Sequence, residues 1–165
     1  MITKSTIERG LRHSLAIAGA AAVFAFLSAS AFANGCPAGK MVADGLGQKA
    51  GATMPAGVTD TVLASIDLSK EKVALPDHQL RMRRLVIQPG GVVPWHSHGD
   101  RPAVIYIVEG EITEYASTCA VPIVHKAGDV SREVHSTSHW WKNTSDKTVV
   151  LLSADVLHDK ADKNM

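Results

Sequence analysis

The sequence has almost no net charge. Its 17 Lys and Arg residues are offset by 16 Asp and Glu residues, which leaves a formal charge of +1 over 165 residues. Binding to nucleic acid or to an anionic membrane surface usually requires a basic face, and the sequence offers none. We therefore expect no nucleic-acid partner.

Aromatic residues are scarce, at 5 %, and no long run has the 3.6-residue apolar spacing of an amphipathic helix. The apolar content of 45 % and the charged content of 20 % are ordinary for a globular protein, which excludes a disordered or fibrous chain. The length predicts one folded domain.

The N-terminal segment holds the one long apolar run, over residues 14–33, behind three basic residues. The run ends in the small-x-small triplet Ala31-Phe32-Ala33, which is typical of a signal-peptidase site. We predict a signal peptide over residues 1–33 and a periplasmic or secreted protein. Cleavage removes three basic residues and one acidic residue, which turns the charge of +1 into −1. No stable membrane association is expected afterwards.

Two alternatives to cleavage stay open. The run approaches the ~20 residues that span a bilayer, which would suit a retained membrane helix. Its Ala-rich composition and the lack of a following stop-transfer cluster disfavour that interpretation. The second alternative is a lipoprotein anchored at Cys36, although residues 33–35 lack the Leu expected three residues before a lipidated Cys.

The mature chain contains two cysteines, Cys36 and Cys119. An oxidising compartment favours their pairing, and a disulfide closing so long a loop would stabilise the domain by roughly 4 kcal/mol on the chain-entropy model. The alternative is two unpaired, buried cysteines. A metal-binding role is disfavoured because neither cysteine belongs to a close-spaced ligand pair.

Residues 34–60 are rich in Gly, Ala and Pro and predict an irregular N-terminal arm, followed by one β-domain over residues 61–165. Nine short β-prone runs separated by turn residues indicate an all-β sandwich or barrel. The predicted strands are Val62–Leu68, Arg81–Gln88, Gly91–Trp95, Ala103–Val108, Glu111–Ser117, Val121–His125, Asp129–Glu133, His139–Asn143 and Thr148–Val156.

Two histidines, His96 and His98, stand two residues apart in one of these runs. Side chains at i and i+2 of a strand point to the same face, so the two rings can share one ion. Imidazole suits Fe, Mn, Ni, Cu or Zn, but two rings leave most coordination positions empty. A third ligand must come from another segment.

The sequence around these histidines resembles the cupin superfamily. The first cupin motif, Gly-x5-His-x-His-x3-4-Glu-x6-Gly, is matched by Gly90, His96, His98 and Gly110. The second motif, Gly-x5-Pro-x-Gly-x2-His-x3-Asn, is matched in register by the three residues Gly128, His139 and Asn143, with Val134 and Ser136 in place of Pro and Gly. The resemblance covers about residues 80 to 156 and implies a single cupin barrel, also called a double-stranded β-helix or jelly roll. It implies that His139 is the third ligand of one divalent metal ion.

One departure from the family pattern concerns the acidic ligand. Its two allowed positions hold Pro102 and Ala103, which reduces the expected ligand set to three histidines. Some cupin-like dioxygenases also use three-His iron sites, so the resemblance still implies a metal. Asp100, His125, Glu133 and His135 are alternative fourth ligands, although we expect each to be a solvated side chain.

Strand alternation identifies candidate pocket residues beside the metal. Ile105 and Ile107 should point inward with position 103, whereas Tyr106 should face away. Trp141 shares the face of His139, and Trp140 lies on the other face. Trp141 is therefore a candidate wall of a substrate pocket, with ordinary core packing as the alternative.

The run Arg81-Met82-Arg83-Arg84 places Arg81 and Arg83 on one face of a strand and Met82 and Arg84 on the other. An arginine whose side chain points into the barrel would bind a substrate carboxylate through two hydrogen bonds. Arg84 is the candidate, with a solvated edge strand as the alternative. Arg101 is a weaker candidate for contact with an anion.

The leading functional hypothesis is an exported, metal-binding protein that acts on a small-molecule ligand, with Fe(II)-dependent dioxygenation as the most concrete reaction class. Export weakens the case for iron, because Zn²⁺ and Cu²⁺ outcompete Fe²⁺ at nitrogen sites. A non-enzymatic binding module and a purely structural barrel are the alternatives. Cupin-like barrels commonly dimerise, so a homodimer is a further expectation.

Overall fold

The computed structural model describes residues 35–158, and the predicted signal peptide lies outside this range. The described chain is all-β, as predicted, with one short 3-10 helix at Leu68–Lys70. The strands are β1 Ala56–Asp67, β2 His78–Ser97, β3 Ala103–Glu109, β4 Glu111–Ala116, β5 Ile123–Lys126, β6 Val130–Glu133, β7 Ser138–Lys142 and β8 Val149–His158. Within the described range, no helix is long and apolar enough to span a membrane.

A single antiparallel sheet contains all of these strands, in the order β5-β4-β7-β2-β8-β3-β6, and β1 pairs with β2 outside this path. The first half of β2 pairs with β1 on one edge and with β8 on the other. Its second half pairs with β7. Because β2 belongs to both halves of the sheet, it joins them into one nearly closed barrel around a shared core.

Strand β2 replaces two predicted strands, Arg81–Gln88 and Gly91–Trp95. The chain continues through the predicted turn at Pro89 and Gly90 without leaving the sheet. Gly90 has a φ of 77°, in the left-handed region where glycine is favoured over residues with a side chain. The turn residues therefore form an irregularity within one strand rather than a break between two.

A second irregularity reverses the inward face of β2. From Val93 to His96 the strand takes three steps, while its partner β7 takes two steps from Trp141 to His139, so β2 carries one extra residue. An odd number of extra residues moves every later side chain to the opposite face. Consequently odd-numbered residues such as Arg83 and Val93 face inward before this point, and the even-numbered His96 faces inward after it.

The N-terminal arm is shorter than predicted. Strand β1 begins at Ala56, inside the segment 34–60 that we expected to be irregular. Before that point the arm lies along the β4–β5 connection, where the N–H of Val42 donates to the carbonyl of Thr118 at 2.9 Å. The disulfide between Cys36 and Cys119, with a Cα–Cα distance of 5.5 Å, joins the arm to this connection. The predicted pairing is confirmed, and unpaired cysteines are excluded.

The core fills the barrel between the two halves of the sheet. Ile105 and Ile107 are 8 % and 0 % exposed, whereas Tyr106 between them is 44 % exposed, which confirms the predicted alternation in β3. Burial of each such side chain contributes roughly 1.5–3 kcal/mol to folding. The core residues are Leu85, Ile87, Val93, Ile105, Ile107, Ile112, Trp141, Val149 and Leu151.

Candidate metal centre

Three buried histidines meet at one end of this core. His96 lies near the end of β2 and pairs in register with His139 of β7. His98 follows β2 directly, and its N–H donates to the carbonyl of Thr137 at 2.9 Å, which holds it beside the start of β7. The three residues predicted to be ligands are therefore brought together, with exposures of 8 %, 2 % and 0 % for His96, His98 and His139.

The Nε2 atoms of the three rings form a small triangle. Its sides measure 3.0 Å from His96 to His98, 3.0 Å from His98 to His139 and 3.2 Å from His139 to His96. Three nitrogens at right angles around a metal, each at roughly 2.1 Å, lie about 3.0 Å apart. The triangle therefore has the size that one bound ion requires.

The opposite nitrogen of each ring has a hydrogen-bond acceptor. Nδ1 of His96 lies 2.8 Å from the carbonyl of Pro94, and Nδ1 of His98 lies 2.7 Å from the carbonyl of Arg101. Nδ1 of His139 lies 2.7 Å from Oε1 of Glu114. Since carbonyls and carboxylates only accept, each Nδ1 carries the hydrogen and each Nε2 presents its lone pair to the centre of the triangle.

Burial keeps two of the rings neutral. Desolvation, together with the nearby His139, lowers the pKa of His96 to about 2. Desolvation and His139 also lower the pKa of His98 to about 3. A neutral imidazole is the form that binds a metal, so both rings are held in the ligating state across the physiological pH range.

The third ring has a different electrostatic environment. Burial opposes charge on His139, but Glu133 and Glu114 outweigh it and raise the pKa of the ring. Oε2 of Glu133 lies 3.3 Å from the same Nδ1 that bonds Glu114. Burial raises the pKa of Glu133, whereas hydrogen bonds from His125 and His139 overcome burial and lower the pKa of Glu114 to about 2. Negative charge thus lies directly behind this one ligand.

Glu133 stands close to the position that the missing carboxylate would occupy. It pairs across the sheet with Ala103, one of the two positions where the acidic ligand was expected. Its carboxylate nevertheless groups with Glu114 and His139 rather than with all three histidines. Among residues 35–158, the triangle of Nε2 atoms therefore contains no carboxylate.

Two of the four alternative ligands were wrongly expected to be solvated. His125 and Glu133 are 0 % and 1 % exposed, because both lie on inward positions of their short strands. Asp100 and His135 are exposed, as expected. His125 is not part of the triangle of Nε2 atoms, but it shares a partner with it. Its Nε2 lies 2.8 Å from Oε2 of Glu114, so the carboxylate of Glu114 contacts both His125 and His139.

Glu114 was not predicted as part of the site. It shares the inward face of β4 with Ile112 and Ala116 and is 3 % exposed. An acidic residue between apolar neighbours on the inward face of a strand requires a partner, since burying an unpaired charge is costly. That pattern was the signal available in the sequence.

Comparison with known proteins agrees with this geometry. The family model described as "Cupin domain" matches residues 83–155, which hold all three histidines. The barrel belongs to the cupin superfamily. No protein of curated function matches the chain in sequence.

Several solved structures resemble this barrel. A predicted oxalate decarboxylase from Thermotoga maritima is 24 % identical, with a TM-score of 0.52, over 71 % of this chain and 99 % of that one. The cupin domain of Cnp3 from Schizosaccharomyces pombe is 16 % identical, with a TM-score of 0.48, over 63 % of this chain and 66 % of that one. An oxalate oxidase bound to the substrate analogue glycolate is 19 % identical, with a TM-score of 0.47, over 65 % of this chain and 55 % of that one.

A cleft in the cupin barrel reaches two of the histidines. Its empty space, counted together with the open solvent at its mouth, is about 340 Å³. Apolar side chains dominate its walls, and Arg83 and Ser153 are the polar lining residues besides the histidines. The lining consists of Arg83, Leu85, Val93, His96, His98, Ile105, Trp141, Leu151 and Ser153.

The cleft contains some of the predicted pocket residues and excludes others. Ile105 and Trp141 line it, and Trp141 shares the inward face of His139 as predicted. Ile107 is fully buried in the core and does not line the cleft. Trp141 also stacks on His125, with ring centroids 4.6 Å apart, so it supports the residues behind the metal centre as well.

Arg84 does not enter the barrel. It is exposed on the outer face of β2, while Arg83 is 6 % exposed and lines the cleft. The prediction was wrong because strict alternation carried back from His96 turns Arg84 inward, and the extra residue between Val93 and His96 reverses that alternation. Arg101, the weaker candidate, is buried, and its charge opposes protonation of all three histidines.

Proposed function

We propose that this cupin barrel binds one divalent metal ion through His96, His98 and His139 and acts on a small molecule held in the adjoining cleft. One observation carries the proposal: three Nε2 lone pairs converge within 3.2 Å while every Nδ1 is committed to an acceptor. Three lone pairs this close repel one another unless a cation lies between them.

The metal, when bound, would supply Lewis-acid or redox chemistry at coordination positions left open by three ligands. The protein's own residues define the surroundings. Glu114 orients His139 through Nδ1, and carboxylates in this position increase the basicity of the ligating ring. The apolar walls of the cleft limit water near the open positions.

Fe(II)-dependent dioxygenation is the reaction class that we favour. Three neutral nitrogen ligands leave room for both a substrate and O₂, and no charged ligand competes with an anionic substrate. The ion itself is one of Fe, Mn, Zn, Cu or Ni, since imidazole suits all five. Zn²⁺ is the principal competitor in a protein that acquires its metal outside the cytoplasm.

A non-enzymatic binding module is the second candidate, and the composition of the cleft favours it. The lining residues include no carboxylate and no histidine beyond the two ligands. A hydrolytic or proton-transfer enzyme would ordinarily place a general acid or base against its substrate. Ligand capture without turnover requires no such group.

We further propose that the protein works outside the cytoplasm. The Cys36–Cys119 disulfide is compatible with an oxidising compartment. The apolar run with its Ala31-Phe32-Ala33 triplet supports export through a cleaved signal peptide. N-terminal sequencing of the protein recovered from the periplasm tests this, and the first residue should be Asn34.

Elemental analysis of the exported protein tests the metal proposal. We expect close to one metal ion per chain in the wild type and in His135→Ala, which removes an exposed histidine, and none in His96→Ala. Circular dichroism should show that all three retain the barrel. Bound iron together with O₂ uptake favours the oxygenase, whereas zinc without turnover favours the binding module. A metal content that is the same in His96→Ala would refute the site.

A further inference from the structure

His125 is a buried histidine outside the group of three that can share one ion. It lies on β5, whereas His139 lies on β7, and β4 with Glu114 runs between these two strands. The ring is 0 % exposed, although an imidazole is a polar group. A histidine that is fully buried and has no place among the proposed ligands requires another explanation.

The carboxylate of Glu114 contacts one ring with each of its oxygens. Oε1 lies 2.7 Å from Nδ1 of His139, and Oε2 lies 2.8 Å from Nε2 of His125. Because a carboxylate only accepts hydrogen bonds, Nε2 of His125 carries the hydrogen and donates it. The carboxylate is thus held at both oxygens, and it cannot turn away from His139 without also breaking its bond with His125.

Packing alone does not explain a histidine at position 125. With the hydrogen on Nε2, the other ring nitrogen, Nδ1, is an acceptor, and it has no hydrogen-bond partner within residues 35–158. A buried acceptor without a partner destabilises a fold. Leucine would fill the same place, opposite Ile112 in register, without that cost. The bond to Glu114 is therefore what histidine contributes here and leucine would not.

Trp141 holds the His125 ring in this orientation. Its indole stacks on the imidazole, with ring centroids 4.6 Å apart and planes 22° apart. The same indole meets the ring of His139 edge-on, with centroids 5.6 Å apart. Trp141 also pairs in register with Glu114. Both rings that contact the carboxylate are therefore packed against one rigid side chain, which keeps the three groups in a fixed arrangement.

We infer that His125 is a positioning residue of the metal centre, which holds the carboxylate of Glu114 against His139 without touching the metal itself. A ligating histidine becomes more basic when a carboxylate accepts from its other nitrogen. Loss of the bond from His125 would free one oxygen of Glu114 and loosen its contact with His139. This inference rests on the proposed function and extends the support of His139 by one residue beyond Glu114.

The test measures how tightly the full mature chain binds Co²⁺, by competition with a chelator, and records the visible spectrum of the bound ion. His125→Leu removes the donor to Glu114 and should weaken binding about fivefold, less than the loss of a direct partner of a ligand. The visible bands should shift as well. His135→Leu, the same change at an exposed histidine, should alter neither. Unchanged affinity and spectrum in His125→Leu would overturn the inference.

A double-mutant cycle separates positioning from an independent effect on the fold. If His125 acts through Glu114, adding His125→Leu to Glu114→Gln should weaken binding by less than about twofold more, because the carboxylate that it positions is already gone. A further loss of about fivefold in the double variant would mean that the two residues act independently. That result also overturns the inference.

Two amide variants keep the inference testable where His125→Leu fails to fold. The amide nitrogen of the glutamine in His125→Gln reaches about as far as Nε2 and can still donate to Glu114, whereas the shorter asparagine in His125→Asn cannot. His125→Gln should bind Co²⁺ within about twofold of the wild type, and His125→Asn about fivefold more weakly. Equal affinities in these two variants count against a role for the bond to Glu114.

The wild-type protein separates this inference from the proposed function. If the wild type fails to bind Co²⁺, the metal centre itself is refuted. If the wild type binds Co²⁺ and the affinity is the same in every His125 variant, the metal centre stands and only the positioning role is refuted.

Discussion

The two sides of the metal centre hold their histidines by different means. His96 and His98 donate from Nδ1 to backbone carbonyls, whereas His139 faces the carboxylates of Glu114 and Glu133. The carbonyl side has lowered histidine pKa values, and the carboxylate side has a raised one. Carbonyls fix a ring without adding charge, while carboxylates also supply the negative charge that three neutral ligands lack.

Removing a ligand should have the largest effect, and it should differ between the two sides. His96→Ala and His139→Ala should each weaken metal binding by more than about 100-fold, measured by competition with a chelator. His139→Ala should also destabilise the metal-free protein by about 3 kcal/mol more, because it removes a ring that two buried carboxylates, Glu114 and Glu133, both contact. Equal stability losses in urea denaturation would contradict the difference between the sides.

Breaking the disulfide acts on the carboxylate side, and we expect its effect on stability rather than on metal binding. Cys36 lines a cavity together with Glu114 and Glu133. The bond spans 83 residues of sequence, so the Cys36→Ser, Cys119→Ser double variant should lose about 4 kcal/mol of stability. Chemical denaturation measures this loss. Visible spectra of the Co²⁺-loaded variant should keep their shape, and a changed spectrum would show that the tether also positions His139.

Acidification should destabilise the metal-free protein. His96 and His98 have folded-state pKa values of about 2 and about 3, below the 6.5 of an unfolded histidine, so only the unfolded chain gains these two protons. The pKa of His139 is raised, so below pH 6.5 this ring is protonated in both the folded and the unfolded chain and changes the balance little. The stability present above pH 6.5 should therefore fall by about 3 kcal/mol by pH 5.

The double variant His96→Asn, His98→Asn isolates the carboxylate side in the same titration. With those two rings gone, His139 alone remains of the three. Its stabilisation is fully present below pH 6.5 and is lost as the pH rises through its raised folded pKa, so stability should change little between pH 6.5 and pH 5 and should fall above pH 6.5. Urea denaturation at several pH values measures both proteins. The same slope in the two would show that the difference in pKa between the sides has no energetic consequence.

The smallest effect is expected from neutralising one supporting carboxylate. Glu114→Gln should weaken metal binding about tenfold, or about 1.4 kcal/mol, because an amide oxygen accepts from only one of the two rings that Glu114 joins. The matched change Glu111→Gln on the same strand alters an exposed ion pair with Lys126 and should leave affinity unchanged. Chelator competition compares them, and equal affinities in both variants would show that Glu114 is only a packing residue.

Features that repeat within one strand were predictable. The two-residue spacing of His96 and His98 predicted that both side chains point to the same face of the strand. The same period correctly placed Trp141 on the face of His139, and Ile105 on the face of Ile107. The cupin resemblance added His139 from a distant segment. A regular strand permits such predictions because side-chain direction follows directly from the backbone geometry.

Features that depend on partners across strands were not predictable. Which arginine of β2 faces the cleft depends on one extra residue between Val93 and His96, and only the register with β7 reveals it. The burial of Glu133 and His125 depends on which strands close the barrel around them. Each of these outcomes is fixed by pairing between segments far apart in the chain.

By itself the sequence determined the all-β class, the three histidines that converge and the lack of a carboxylate at position 103. The tertiary structure decided where the nearby negative charge lies, with Glu114 and Glu133 behind His139, and which arginine lines the cleft. The physical reason is that periodicity specifies the two faces of a strand, whereas only closure of the sheet determines which face is buried and what it contacts.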